Sequence, residues 1–283
     1  MPEIPNICYT FSHVLKSLFW PWEGEIVIKF ALLGSGSSGN ATLVTDGTHS
    51  VLIDNGLSLK RLEERLAAVG VSPSELKGVF VTHEHGDHVA GLGVLSRRHR
   101  VPVFLTEGTR ASLPPGVGQI ERLETVEAGD TVCIGGLSIQ SFSIAHDAAD
   151  PVSYTVTNAS AKLGFATDFG HTSHLVRTRL AHSHALVIES NYCPHMLRTG
   201  SYPPKIQQRI SSRSGHMSNH DAAKLLSELA HDGLKLVVLV HLSRENNRPA
   251  LASRLAREAL PGHPAEIVVA PPDGSSRLFE VDG

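Results

Sequence analysis

Three short apolar runs, 29–33, 41–45 and 50–53, stand close together, and each ends on a turn signal: Gly34 to Asn40, Asp46-Gly47 and Asp54-Asn55-Gly56. Apolar and β-branched runs bounded by Gly, Asn and Asp predict strands, here a meander. Leu59, Leu62, Leu66 and Val69 recur at helical spacing and Gly70 closes them, which predicts an amphipathic helix. A buried strand follows over 78–81, a helix over 89–98 and a strand over 101–105. The second half repeats this in kind, with strands at 131–134, 137–144, 152–157 and 163–167, a helix near 172–181 and a strand at 185–189. A helix is expected over 218–230, with Ser218 and Asp221 at capping-box-like spacing, then a strand over 236–240, a helix over 247–259 and closing strands at 266–270 and 276–281. Strands first and then alternation with helices, twice over, predict two packed sheets with helices outside. One domain is expected rather than two, because the chemistry-bearing residues come from both halves.

Composition adds limits. The 283 residues are 41% hydrophobic and 19% charged, which is ordinary for a globular chain. The net charge of −3 means that nucleic-acid binding needs a local basic patch. Cys8, Cys133 and Cys193 are far apart and form no CxxC pair. They argue against a disulfide framework or a thiolate zinc site, and for a reducing, cytoplasmic compartment. No run approaches the roughly eighteen apolar residues of a membrane helix, so stable membrane insertion is not expected. Residues 1–25 hold both tryptophans, Trp20 and Trp22, but lie outside the regular pattern. They are read as an appendage, disordered or an over-long start, with a membrane-surface or partner-binding helix as the alternative. Residues 26–283 are expected to form the folded domain.

The densest chemistry is His83-Glu84-His85-Gly86-Asp87-His88, directly after the strand-like Val79-Phe80-Val81. Imidazoles and carboxylates crowded into six residues suit zinc, manganese or iron. His83 and His85 alternate, so both can face one side of an extended loop, and Asp87 and His88 can serve a second ion. A polar strand-to-helix turn capped by Asp87 is the competing reading. Asp54, His146, Asp168 and His241 each follow an apolar strand, where a sheet would deliver them to one rim.

This order of elements resembles the metallo-β-lactamase superfamily. The resemblance implies an α/β fold, a four-layer αββα sandwich, and two divalent metal ions per chain, Zn2+ or Mn2+. It implies that His83, His85 and His146 hold one ion, that Asp87, His88 and His241 hold the other, and that Asp168 bridges them. Asp54, counted with the catalytic set, would orient the histidine loop by hydrogen bonds. Glu84 would be no ligand and would face away. Two adjacent ions would activate a shared water and neutralise charge on an anionic substrate.

Four further segments, 34–40 (GSGSSGN), 186–191, 215–219 and 241–247, resemble with THEHGDH the YycJ/WalJ-type branch of that superfamily, from about Lys29 onward. Members of that branch are described as 5′→3′ exonucleases on DNA, implicated in mismatch repair. The resemblance therefore implies a phosphodiesterase, with nucleic acid, above all DNA, as its partner. Glu189 and His216 are similar to a Glu–His pair of ribonuclease Z, in which the histidine protonates the leaving oxygen. His216 as a mere helix cap is the competing reading. Ser37, Asn40, Ser218, Asn219 and Arg244 are the expected substrate contacts, with Arg244 also expected to stabilise charge at the phosphate. The segment 190–220, expected as a loop, carries Arg198, Lys205, Arg209 and Arg213 with Tyr192 and Tyr202 and no Asp or Glu, a strip suited to a phosphate backbone and to base stacking, with a solvated surface loop as the competing reading. Tyr192-Cys193 departs from the branch, where many relatives carry His-Asp. The runs Arg97 to Arg100 and His182-Ser183-His184 are read as a helix end and a linker, and His171, His174, His182 and His184 as surface residues. Two competing readings are a small-substrate hydrolase, acting on a cyclic phosphodiester, lactone or thioester, and a binding protein with a degenerate site.

Overall fold

The computed structural model describes residues 27–271 and 274–283, so the reading of residues 1–25 lies outside them. The first half supplies strands β1 (Ile28–Gly34), β2 (Ala41–Thr45), β3 (Ser50–Ile53), β4 (Leu76–Phe80), β5 (Val103–Leu105) and β6 (Leu123–Thr125). Its helices are α1 (Leu59–Ala68), α2 (Gly86–Val89), α3 (Leu92–His99) and α4 (Glu107–Ala111). The second half supplies β7 (Thr131–Ile134), β8 (Leu137–Ser143), β9 (Val152–Thr157), β10 (Lys162–Ala166), β11 (Ala185–Glu189), β12 (Leu236–Val240), β13 (Glu266–Val269) and β14 (Phe279–Val281). Its helices are α5 (His174–Leu180), α6 (Pro194–Thr199), α7 (Pro204–Ile210), α8 (Asn219–Leu229) and α9 (Pro249–Ala259).

Two seven-stranded sheets form, ordered β14-β1-β2-β3-β4-β5-β6 and β13-β12-β11-β10-β9-β8-β7. Each starts antiparallel and turns parallel, at β3–β4 in one and at β10–β11 in the other. Strand alternation sorts the apolar side chains into layers. Phe30, Leu32, Ile53 and Phe80 meet Tyr154, Phe165, Val187 and Val240 in a core between the sheets. Ala31, Leu33, Leu52 and Val79, from the other face of the first sheet, pack with Leu62 and Leu66 of α1 and Leu92 and Leu95 of α3. Leu186, Ile188 and Leu239 pack with Val176 of α5, Leu225 of α8 and Ala252 of α9. The expected αββα sandwich is present.

Several elements differ from expectation. β6 and α4 were not expected, and the segment 190–220 holds two short helices, α6 and α7, instead of a continuous loop. The last strand covers only 279–281. No helix among the described residues is long and apolar enough to cross a membrane.

Parallel strands present their C-terminal ends at one rim, where open α/β sheets place their sites. Two bonds tie the sheets together just beneath it: Tyr154 Oη donates to Val81 O at 2.6 Å, and Val152 N to Thr82 O at 2.9 Å.

Candidate metal centre

Asp54, Asp168 and His241 lie just past the ends of β3, β10 and β12 with left-handed φ angles of 61°, 56° and 56°. Such angles are uncommon outside glycine and cost of order 1–3 kcal/mol each, so they persist where surrounding contacts fix them. The contacts are present. Asp54 N donates to Phe80 O at 2.9 Å, and His241 N donates to Ser35 Oγ at 2.9 Å.

The first group of donors is His83, His85 and His146. His83 Nε2 lies 3.0 Å from His85 Nδ1, which lies 3.3 Å from His146 Nε2. The outer nitrogens are engaged elsewhere: Thr82 Oγ1 is 2.9 Å from His83 Nδ1, and His146 Nδ1 faces Gly215 O at 3.2 Å. Thr82 Oγ1 also lies 2.8 Å from Asp54 Oδ2, to which it donates, so it accepts from His83. Burial, with the charges of His88 and His146, holds His83 well below the ordinary histidine value. Burial also lowers His146, against the pull of Asp168. Imidazole nitrogens that face one another in this way are suited to a cation.

The second group is Asp87, His88 and His241, with Asp168 between the two groups. His88 Nδ1 donates to Asp54 Oδ2 at 2.8 Å, while its Nε2 lies 3.3 Å from Asp168 Oδ2 and 3.7 Å from Asp87 Oδ2. His241 Nε2 is 3.9 Å from Asp87 Oδ2, and its Nδ1 is 3.2 Å from Asp168 Oδ1. Burial opposes charge on His88, but the carboxylates of Asp54 and Asp168 outweigh it and raise its pKa to about 9. Asp87 is held well below the usual carboxylate value: burial works against this, and the nearby imidazoles of His241 and His88 prevail.

The residues fit divalent ions. His83, His85 and His146 form one set with donor atoms within 4.8 Å of one another, and Asp87, His88 and His241 form a second. A third set, His83, His88 and Asp168, joins them. Asp168 Oδ2 and His241 Nε2 are buried without a hydrogen-bond partner, an expensive condition that a cation would relieve.

Beside this centre stands a dyad. His216 Nδ1 donates to Glu189 Oε1 at 2.7 Å, and Glu189, wholly buried, also accepts from Phe169 N at 3.0 Å and Met217 N at 3.3 Å through Oε2. Burial favours the neutral acid, but the charges and bonds of His216 and His241 hold Glu189 well below its ordinary value. Burial lowers His216 most, but the charge and hydrogen bond of Glu189 and the charge of Asp168 together outweigh it, so its pKa stands above the ordinary value. His216 and His241 form part of a cavity of about 330 Å³ that is also lined by Ser37, Tyr202, Arg209 and Arg244.

A family model described as Beta-lactamase superfamily domain matches residues 49–242. The chain belongs to the beta-lactamase superfamily. It is 36% identical over 235 residues to exodeoxyribonuclease YycJ of Bacillus anthracis, covering 82% of this chain and 89% of the relative. It is 34% identical over 232 residues to exodeoxyribonuclease WalJ of Streptococcus pneumoniae serotype 2, covering 81% and 86%. The solved metallo-beta-lactamase fold protein YhfI of Bacillus subtilis superposes with a TM-score of 0.70 over 90% of this chain and 100% of that one, at 17% identity.

In this member of the superfamily the expected residues divide into three groups. His83, His85, Asp87, His88, His146, Asp168 and His241 converge as above, with Asp54 behind them, where it also accepts from Thr82 N at 2.8 Å. Ser37 and Arg244 line the cavity. Three expected substrate contacts do not reach it. Ser218 is buried and caps α8, its Oγ accepting from Asp221 N at 3.1 Å. Asn219 is 1% exposed and shares reciprocal amide bonds with Asn247 at 2.8 and 2.9 Å. Asn40 Nδ2 lies 2.9 Å from His88 Nε2 and 3.1 Å from Asp87 Oδ2, and its Oδ1 accepts from Gly36 N at 2.7 Å.

Other placements also change. Tyr192 is buried, bridged to Ser218, with burial first and the charge of Asp221 second pushing its hydroxyl up to about 12, so it offers no stacking face. Glu84 belongs to none of the ligand sets, as expected; its Oε1 accepts from Ala149 N at 2.8 Å, tying the first histidine loop to the loop that carries His146. His184 is no free surface residue, since its Nδ1 accepts from Lys162 N at 3.1 Å. Asp147, which no sequence signal singled out, sits 3.4 Å from His146 Nε2 and pairs with Arg209 at 2.5 Å.

Proposed function

We propose that the chain is a dinuclear metal-dependent phosphodiesterase, a 5′→3′ exonuclease on DNA in the cytoplasm. One observation carries this reading: a buried carboxylate, Glu189, holds His216 at 2.7 Å beside the metal-ligand sets and in the wall of a cavity that also contains Arg209 and Arg244. The relatives named exodeoxyribonuclease, similar over most of their length, support it. The free thiols of Cys133 and Cys193 agree with a reducing compartment.

Two divalent ions, zinc or manganese, held by His83, His85 and His146, by Asp87, His88 and His241 and by Asp168 between them, would lower the pKa of a shared water and offset charge on the phosphate. The protein's own groups do the rest. Asp54 and Thr82 fix the faces that His83 and His88 present. Arg244 offers a planar guanidinium to the phosphodiester oxygens. His216 donates from Nδ1 to Glu189, so its Nε2 can carry a second proton at neutral pH and hand it to the departing oxygen. The Glu189 carboxylate favours that imidazolium.

The test is incubation of metal-reconstituted protein with end-labelled single- and double-stranded DNA and RNA. Stepwise release of nucleotides from the 5′ end of DNA is expected. Turnover of a cyclic nucleotide with no cleavage of any oligonucleotide would give the site to a small-substrate hydrolase.

A further inference from the structure

Helix α7 buries none of its residues, yet it is fixed at the rim. His216 N donates to Ile210 O at 2.9 Å, and Arg209 Nε bonds Asp147 Oδ2 at 2.5 Å. Gln207 Nε2 donates to Tyr202 O at 2.8 Å, which holds Tyr202 against the start of the same helix. Ile206 and Ile210 are four residues apart and so share a helix face. Both line the cavity with Tyr202, and Ile206 is 39% exposed. Among the described residues, packing leaves this tyrosine–isoleucine wall open to the cavity.

Apart from Leu242, the rest of the lining is polar, including the Ser35 to Ser38 turn, Ser243 and Arg244, with Glu245 as the one carboxylate. Flat apolar surface beside hydroxyls and guanidinium groups matches the two halves of a nucleotide, base and phosphate. The cavity, about 330 Å³, is at the small end of ligand sites, sized for one nucleotide and not for a base pair.

We propose that this cavity takes a single unpaired terminal nucleotide, with its base against Tyr202 and Ile206 and its phosphate toward His216 and Arg244. The inference rests on the nuclease reading and narrows it: the substrate is a frayed or single-stranded end, and a blunt duplex must open its last pair before cleavage.

Binding of the metal-free full chain to an oligonucleotide bearing 2-aminopurine at its 5′-terminal position tests it. Quenching of the 2-aminopurine on binding is expected, and Tyr202→Ala and Ile206→Ser should each abolish most of it. Each substitution should weaken binding by about five- to hundredfold, and an abasic terminal residue should weaken binding to the wild-type chain by a similar factor. The variant and the abasic strand together should lose little more than either alone. Losses that multiply would place the base elsewhere and overturn the proposal. If the losses do not multiply but the metal-loaded enzyme cuts no strand, the nucleotide subsite stands and the nuclease reading falls. Because neither Tyr202 nor Ile206 is buried, both variants should fold, and their unfolding midpoints check this.

Discussion

His88 Nδ1 lies 2.8 Å from Asp54 Oδ2, and the two side chains are 1% and 2% exposed. The same carboxylate accepts from Thr82 N and Thr82 Oγ1, both at 2.8 Å, and Thr82 Oγ1 in turn lies beside His83 Nδ1. One buried acid therefore sets the direction of an imidazole in each candidate metal group, although it touches neither group's donor atoms directly.

Replacing Asp54 with Asn tests that role. The amide keeps an acceptor for Thr82 N but turns a donor toward His88 Nδ1–H. Affinity for the metal on the His88 side should fall by about ten- to hundredfold, the usual effect of losing such an orienting bond. Competition with a chromophoric chelator measures it. Unchanged affinity would remove Asp54 from the centre.

Replacing His216 with Ala should lower kcat on an oligonucleotide by about 10²–10⁴-fold, the range for a lost general acid. Metal content per chain should stay the same. A phosphodiester with a p-nitrophenolate leaving group, which departs without a proton, should lose far less. An equal loss on both substrates would assign His216 another task.

The elements that sequence reading anticipated are those with a long apolar period. β1, β2, β10 to β12, α1, α8 and α9 all bury a repeating set of side chains, and their boundaries fell within a few residues of expectation. β6 and α4, at three and five residues, are too short to show a period, and α7 buries nothing that could create one. The converging donors were legible for a related reason: each follows an apolar strand, and strand ends meet at a rim. Ser218 and Asn219 misled because a polar residue in a motif reads the same whether it faces substrate or closes an interior network. Tyr192 misled likewise, since burial of a tyrosine depends on which distant residues pack over it.

That interior network yields a third prediction. Asn247 Nδ2 lies 2.8 Å from Ser190 O and Asn191 O and 2.9 Å from Asn219 Oδ1, and Asn191 Nδ2 donates to His241 O at 2.7 Å. Asn247→Ala would take a donor from the Ser190 and Asn191 carbonyls, the second of which keeps Ser243 N, and would leave the Asn219 amide nitrogen unpaired. We expect a loss of about 2–3 kcal/mol of stability, read from urea denaturation, together with weaker metal binding through the displaced His241 turn. A stability change under about 0.5 kcal/mol, the range of ordinary surface substitutions, would mean that water replaces the amide without cost.

His184, at the opposite end of the second sheet, sets an acid limit on the fold. Its Nδ1 accepts from Lys162 N at 3.1 Å. A ring protonated at Nδ1 cannot accept this bond. Burial first, and the positive charge of His231 and Lys235 next, holds His184 below the ordinary histidine value. The unfolded chain therefore binds this proton more readily than the folded one, and acid favours unfolding. The stability that His184 contributes is whole above its unfolded pKa of about 6.5 and is lost as pH falls from there through the folded value. His184→Asn keeps an oxygen that can accept from Lys162 N but removes the titrating ring. Between about pH 7 and pH 5 the variant should lose less stability than the wild-type chain in paired urea denaturations. Parallel profiles would show that protonation of His184 plays no part in the acid limit.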